Sequence, residues 1–113
     1  MHRHVLAASL FMSTLGALAC GAEDRDALMR FGRHLAGECM ACHRPDTADG
    51  AIPALAGRPE TEIVGLLQDF RDGRKSNPVM ISVAKSLDAQ QSAALAAYFA
   101  SLPAPPRSGS RPR

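Results

Sequence analysis

The segment Cys39-Met40-Ala41-Cys42-His43 constrains the fold and chemistry of this chain more than any other feature. Residues i and i+3 of one helical turn point the same way, so both sulfur atoms can reach the two vinyl groups of one porphyrin. The histidine that follows directly then lies beneath the iron. Two thiols with this spacing and an adjoining imidazole form a c-type haem attachment site, so we predict one covalently bound haem c per chain.

Other uses of a CxxC pair fit the chain less well. A structural zinc site needs a second Cys or His pair, and the remaining candidates, His34 and Cys20, do not form one. A thioredoxin-like redox pair follows a strand in a βαβ setting, which this sequence does not suggest. A disulfide is favoured after export unless thioether formation consumes both thiols. Haem also gives a small domain with few aromatic residues a large apolar group to pack around.

The first 22 residues have the pattern of a secretory signal peptide. His2 and Arg3 precede an uncharged run from Val5 to Ala19, which ends in Ala-Leu-Ala. At about fifteen residues this run is short for a bilayer span. We expect cleavage after residue 19 or residue 22 and a mature protein in the periplasm.

Cys20 lies beside the expected cleavage site. We expect it to be removed with the signal or to be inert, because lipoprotein signals usually carry leucine three positions before the cysteine and Leu18 is only two before it. Membrane anchoring is therefore not expected unless Cys20 is lipidated.

Hydrophobic periodicity in the domain from residue 23 to residue 102 predicts an all-α fold. Three main helices are expected at about residues 24–36, 59–72 and 89–102. Their apolar faces are Leu28, Phe31, Gly32 and Leu35, then Ile63, Leu66, Leu67 and Phe70, and finally Leu95, Tyr98, Phe99 and Leu102. Gly32 is costly in mid-helix, which indicates a close helix crossing, with Tyr98 or Phe99 as its partner.

Helix-end signals support these boundaries. Asp24 and Asp26 suit the start of the first helix, and Pro59 is expected at the first position of the second. In the last helix Asp88 is the expected N-cap and Gln91 the capping-box residue.

Two residues outside the pentapeptide are candidates for the haem site. The loop after His43 reaches Pro53, whose carbonyl is a candidate to orient the ligating imidazole, although an ordinary turn proline is an equal alternative. Residues 76–80 are expected to interrupt helical structure and to present Met80 as the sixth ligand of the iron. Met40 lies on the proximal side, Met29 lies in the first helix, and the alternative for Met80 is to fill a gap in the core.

Together these segments resemble the small bacterial class I cytochromes c, especially the single-haem domains related to the halves of two-haem periplasmic cytochromes c. The resemblance rests on Cys39-Met40-Ala41-Cys42-His43, Ile52-Pro53-Ala54-Leu55-Ala56-Gly57, Asp69-Phe70-Arg71-Asp72-Gly73-Arg74, Asn77-Pro78-Val79-Met80 and Leu95-Ala96-Ala97-Tyr98-Phe99-Ala100-Ser101-Leu102.

The resemblance implies a class I cytochrome c fold, with helices and loops wrapped around one haem. It implies thioethers from Cys39 and Cys42, His43 and Met80 as axial ligands, and Pro53 as the carbonyl that orients His43. The chain departs from the family in Ile63-Val64, where relatives often carry an aromatic residue, and in its basic tail.

Charge argues against a nucleic-acid function. Residues 23–102 carry nine Lys and Arg against eleven Asp and Glu, a net charge of −2, although the full chain has +2. Positive charge is concentrated in residues 103–113, a Pro, Ser and Arg tail that is expected to be disordered. Binding of this tail to an acidic partner or an anionic membrane is an open possibility.

These features predict an electron-transfer protein rather than an enzyme, with a donor dehydrogenase and an acceptor oxidase or reductase as redox partners. The first hypothesis is a freely diffusing one-electron carrier. The alternatives are a cytochrome subunit of a dehydrogenase complex, such as a flavocytochrome c sulfide dehydrogenase, and a haem-based gas sensor.

Overall fold

A computed structural model describes residues 16–46 and 50–106, with the side chains described from residue 21 onward. These residues form four α-helices and no strand, which confirms the all-α prediction. The helices are α1 (Gly16–Cys39), α2 (Glu60–Arg71), α3 (Pro78–Ser86) and α4 (Ala89–Ser101). Most of the predicted signal peptide, the side chain of Cys20 and tail residues 107–113 lie outside the described part of the chain.

Helix α1 begins earlier than the sequence predicts. Its first residue is Gly16, so Asp24 and Asp26 lie inside the helix rather than at its start. Three of residues 16–23 are alanines and none is proline, and the helix tolerates the glycine at residue 21. None of the helices in the described residues is both long enough and apolar enough to span a membrane.

The ends of α2 and α4 lie close to the predicted positions. Pro59 is the N-cap of α2 rather than its first residue, and Gly73 follows the helix with a positive φ of 73°. The capping box of α4 is present as predicted: the Asp88 carboxylate accepts from the Gln91 backbone N–H at 2.7 Å, and the Gln91 side chain accepts from the Asp88 N–H at 2.9 Å.

Helix α3 was not predicted, and the expectation of irregular backbone up to Met80 was wrong. Asn77 is the N-cap of α3, Pro78 is its first residue, and the Asn77 side chain accepts from the Met80 N–H at 3.0 Å. Asparagine at the cap followed by proline favours the start of a helix. The sequence of residues 76–80 predicts only a break in helical structure, because the same residue types also end helices.

Helices α1 and α4 cross closely at Gly32, as the sequence predicts. A Cβ atom at Gly32 would lie 2.0 Å from the Ala94 carbonyl oxygen and 2.9 Å from the Tyr98 Cβ. Tyr98 is therefore the partner at the crossing, while Phe99 is buried in the core. The absence of a side chain at residue 32 lets the two backbones approach.

The core lies where α1, α2 and α4 meet. Its buried residues are Ala36, Ile63, Leu95, Ala96 and Phe99. Helix α1 packs on α4, α3 packs on α2, and contact between α2 and α4 joins these two pairs. We call them the α1–α4 pair and the α2–α3 pair.

Replacement of Gly32 tests the crossing. In the haem-loaded protein we expect Gly32→Ala to lower the free energy of unfolding by at least about 2 kcal/mol, because the new methyl group would overlap the Ala94 carbonyl. Gly37→Ala in the same helix is the control, since a Cβ there meets nothing within 4 Å. It should be neutral or stabilising by up to about 1 kcal/mol. Denaturant unfolding measures both, and equal effects would contradict the crossing.

Candidate haem attachment site

The end of α1 holds the two cysteines one turn apart. The carbonyl of Cys39, the last residue of α1, accepts from the N–H of Cys42 at 3.2 Å and from that of His43 at 2.8 Å. The chain therefore continues as a helix-like turn through the pentapeptide. Within the described residues neither Cys39 nor Cys42 forms a disulfide, so both thiols are available for thioether bonds.

The two thiols have different surroundings. Cys39 is half-buried and packs against the core, whereas Cys42 is exposed. Burial raises the pKa of the Cys39 thiol, and the negative charge of Glu38 raises it further. Because the thiolate is the form that attacks a disulfide or an oxidant, the raised pKa makes Cys39 less reactive before attachment.

His43 is oriented by a hydrogen bond to the loop before α2. His43 is only 9% exposed, and its Nδ1 atom is 2.6 Å from the Pro53 carbonyl oxygen. A carbonyl can only accept, so Nδ1 carries the proton and donates it. In the neutral imidazole the lone pair then lies on Nε2, the atom that is free to bind a metal.

The Pro53 loop is itself attached to the core. The Gly57 N–H donates to the Phe99 carbonyl of α4 at 2.9 Å, and Gly57 has a φ of 75° that a residue with a side chain rarely adopts. Ala54 and Ala56 are buried. The contact between Pro53 and His43 is thus present, while the roles of these residues toward haem remain predictions.

Met80 lies on a different part of the fold from His43. It is half-buried in the first turn of α3, in the α2–α3 pair, whereas His43 follows α1. Met40 packs against the same core as Cys39. The candidate axial ligands are therefore supplied by the two helix pairs separately.

Several apolar side chains in the Pro53 loop, α2 and α3 are exposed, and they lie outside the apolar faces that hydrophobic periodicity predicts. They are Ile52 in the Pro53 loop, Val64 on α2, and Val79 and Val83 on α3. Their signal in the sequence was apolar character outside the main hydrophobic faces. Two unpaired thiols, an oriented imidazole, a thioether and uncovered apolar surface together fit a haem c group.

The donor set fits zinc less well. In residues 16–46 and 50–106 no three His, Cys, Asp or Glu side chains are grouped so as to hold a metal ion.

Beside the pentapeptide, Arg44 pairs with Asp46 at 3.2 Å and holds the pKa of that carboxyl below its usual range. Arg44 and Asp46 are exposed, so this ion pair contributes little to stability.

Comparisons with known proteins agree with a haem site. The chain is 38% identical over 96 residues to a thiosulfate dehydrogenase electron acceptor of Thiomonas intermedia, a match that covers 82% of this chain and 43% of that protein. It is 34% identical over 99 residues to cytochrome c4 of Pseudomonas aeruginosa, with 86% and 47% covered. It is 32% identical over 94 residues to cytochrome c-552 of Acidithiobacillus ferridurans, with 80% and 41% covered.

No protein-family model matches the chain. The chain spans less than half the length of each of these three relatives.

The helical fold and the CxxCH turn define a small c-type haem domain. The relatives are cytochromes or proteins named as electron acceptors. The chain belongs to the class I c-type cytochromes, which are electron-transfer proteins rather than enzymes.

Loss of the cysteines tests covalent attachment. We expect a Cys39→Ser/Cys42→Ser double variant to carry no haem that survives denaturing electrophoresis, because no sulfur remains to form a thioether. Each single variant should retain one thioether, which a shifted pyridine haemochrome band reports. Met40→Leu is the control within the same turn and should keep both bonds. Haem retained covalently by the double variant would contradict the assignment.

Proposed function

We propose that the mature chain is a periplasmic one-electron carrier whose haem c is attached through Cys39 and Cys42, with His43 and Met80 as axial ligands. The observation that carries this proposal is the hydrogen bond from His43 Nδ1 to the Pro53 carbonyl oxygen at 2.6 Å. It fixes the tautomer and the ring orientation that an iron-binding histidine needs, next to two available thiols.

The bound group supplies reversible exchange of one electron between ferrous and ferric iron. The residues of the chain determine how readily this happens. His43 would bind the iron through the electron pair of Nε2, and the hydrogen bond from its Nδ1 to the Pro53 carbonyl would make it a stronger electron-pair donor. Met80 offers a neutral, soft thioether, which favours the ferrous state and raises the reduction potential. With His43 and Met80 both bound, the iron would have no open position for a substrate.

The periplasmic location is supported by the amino-terminal residues. A basic start, an uncharged run and small residues before the expected cleavage positions are typical of a secretory signal. Export would also bring the thiols to the compartment where haem c is attached. Residues 1–19 or 1–22 would then be absent from the carrier.

A dehydrogenase is the electron donor that the comparisons favour. The Thiomonas intermedia relative is named as the electron acceptor of thiosulfate dehydrogenase, and we extend this role to the present chain as a hypothesis. A lasting subunit of a dehydrogenase complex, for example a flavocytochrome c sulfide dehydrogenase, is the alternative. A carrier needs only a short-lived contact of modest area.

Replacement of Met80 tests the distal ligand. In Met80→Ala we expect the charge-transfer band of methionine-bound ferric haem to disappear and the reduction potential to fall by on the order of 0.1 V, because the soft ligand is lost. Met29→Ala, in α1, is the control and should change neither property. An unchanged spectrum in Met80→Ala would refute the ligation.

The same proteins test the gas-sensor alternative. The reduced wild-type protein should not bind carbon monoxide without denaturant, because Met80 fills the sixth position. The Met80→Ala variant should bind it readily. Rapid binding by the wild type would favour a sensor over a carrier.

Reduction by a purified dehydrogenase tests the donor. With thiosulfate and thiosulfate dehydrogenase we expect the ferric chain to be reduced in stopped-flow experiments, with a rate that is proportional to dehydrogenase concentration. The sulfide-oxidising flavoprotein with sulfide is the comparison donor. A stable complex with the flavoprotein in size-exclusion chromatography would contradict the free carrier and support the subunit.

A further inference from the structure

Two successive carbonyl groups of the Pro53 loop are held by side chains. The Pro53 oxygen accepts from His43 Nδ1 at 2.6 Å, and the next carbonyl, that of Ala54, accepts from Arg58 Nε at 2.8 Å. Among the described residues these are the two side-chain hydrogen bonds to the backbone of residues 50–58. Arg58 therefore binds the peptide group that directly follows the one whose carbonyl accepts from His43.

The orientation of the Pro53 carbonyl needs such support. The direction of the Pro53 carbonyl depends on where the Cα atoms of Pro53 and Ala54 lie, because the planar peptide group spans them. A bond at the Ala54 carbonyl restrains the position of Ala54 and so resists displacement of this part of the loop away from His43. The backbone bonds of this loop involve its later part, from the Gly57 N–H to Phe99 and from the Arg58 N–H to Leu55.

Arg58 is held in place on its other side. Its Nη1 atom forms an ion pair with Glu62, one turn further along in α2, and the Arg58 side chain is one-third exposed. The guanidinium is planar and its donors have fixed relative directions, so fixing one donor restricts the others. The fold thus connects the Ala54 carbonyl to α2 through a single rigid group.

We propose that Arg58 is a positioning residue for His43: its guanidinium fixes the Ala54 carbonyl and so keeps the neighbouring Pro53 carbonyl directed at His43 Nδ1. This inference rests on the proposed function, in which His43 binds iron through Nε2. A firmer Nδ1 hydrogen bond makes the imidazole a stronger donor to the metal. The nearby Glu62 carboxylate balances the charge of Arg58, so the contribution is directional rather than that of a free cation.

The exchange of the His43 Nδ1 proton with solvent reports this positioning directly. In the ferrous haem-loaded full-length protein, NMR should show that Arg58→Met speeds this exchange roughly three- to tenfold, the factor that corresponds to losing one ordinary hydrogen bond. The Nδ1 proton should also shift upfield as its bond to Pro53 lengthens. Methionine replaces the side chain as far as the Nε position and removes the donors to Ala54 and Glu62.

Arg74→Met is the matched control. Arg74 pairs with Asp69 and Asp72 through an exposed side chain, so this variant removes the same charge without touching the Pro53 loop. It should leave the His43 proton unchanged. The Gly57 N–H is an internal reference, because it is in the same loop but bonds to Phe99.

The outcomes separate positioning from general loosening. The inference is supported if Arg58→Met accelerates exchange of the His43 proton, relative to the wild type, by a larger factor than exchange of the Gly57 N–H, and if Arg74→Met does not. Unchanged exchange at His43, or equal acceleration at both groups, overturns it while leaving the carrier intact. A chain that carries no covalent haem overturns the proposed function and this inference together, and its absorption spectrum shows this before any exchange is measured.

Discussion

The close approach of α1 and α4 at Gly32 determines where the turn with Cys39, Cys42 and His43 lies. Since Ala94 and Tyr98 occupy the space that a side chain at residue 32 would need, the two helices have one register in which they fit. In that register Ala36 is fully buried and Cys39 packs on the core that Leu95 and Phe99 form. The position of the pentapeptide thus follows from a contact two turns earlier in the same helix.

The core that surrounds this crossing is small. Seven of the ten buried hydrophobic residues in the described part of the chain are alanines, and only Ile63, Leu95 and Phe99 are large. Hydrophobic stabilisation is proportional to the apolar area removed from water, so these residues alone provide little of it. Meanwhile Ile52, Val64 and Val79 remain uncovered, the last with 67% of its surface exposed. Apolar surface of this kind is what a covalently bound porphyrin can bury, which links folding to attachment.

Local signals in the sequence predicted the elements that local interactions determine. Asp88 and Gln91 form the capping box because both partners lie within one turn. The crossing at Gly32 could be predicted because glycine is unfavourable inside a helix and therefore indicates a close contact. Helix α3 was missed because Asn77 and Pro78 can end one segment or begin another, and nine residues give little periodicity. The role of Arg58 could not be predicted, since its bond to Ala54 depends on the conformation of an irregular loop.

The two sides of the proposed haem site are held with different firmness. His43 follows a covalent attachment turn, sits at the end of the tightly packed α1–α4 pair, and is oriented by a loop that is bonded to both α4 and α2. Met80 is carried by α3, which packs on α2 alone among the described helices. An exposed ion pair between Arg25 and Glu60 also links α1 to α2, but such pairs contribute little. Of the two proposed ligands Met80 is therefore the one with less support from the fold, and substitutions in the elements that hold it are expected to change the reduction potential most.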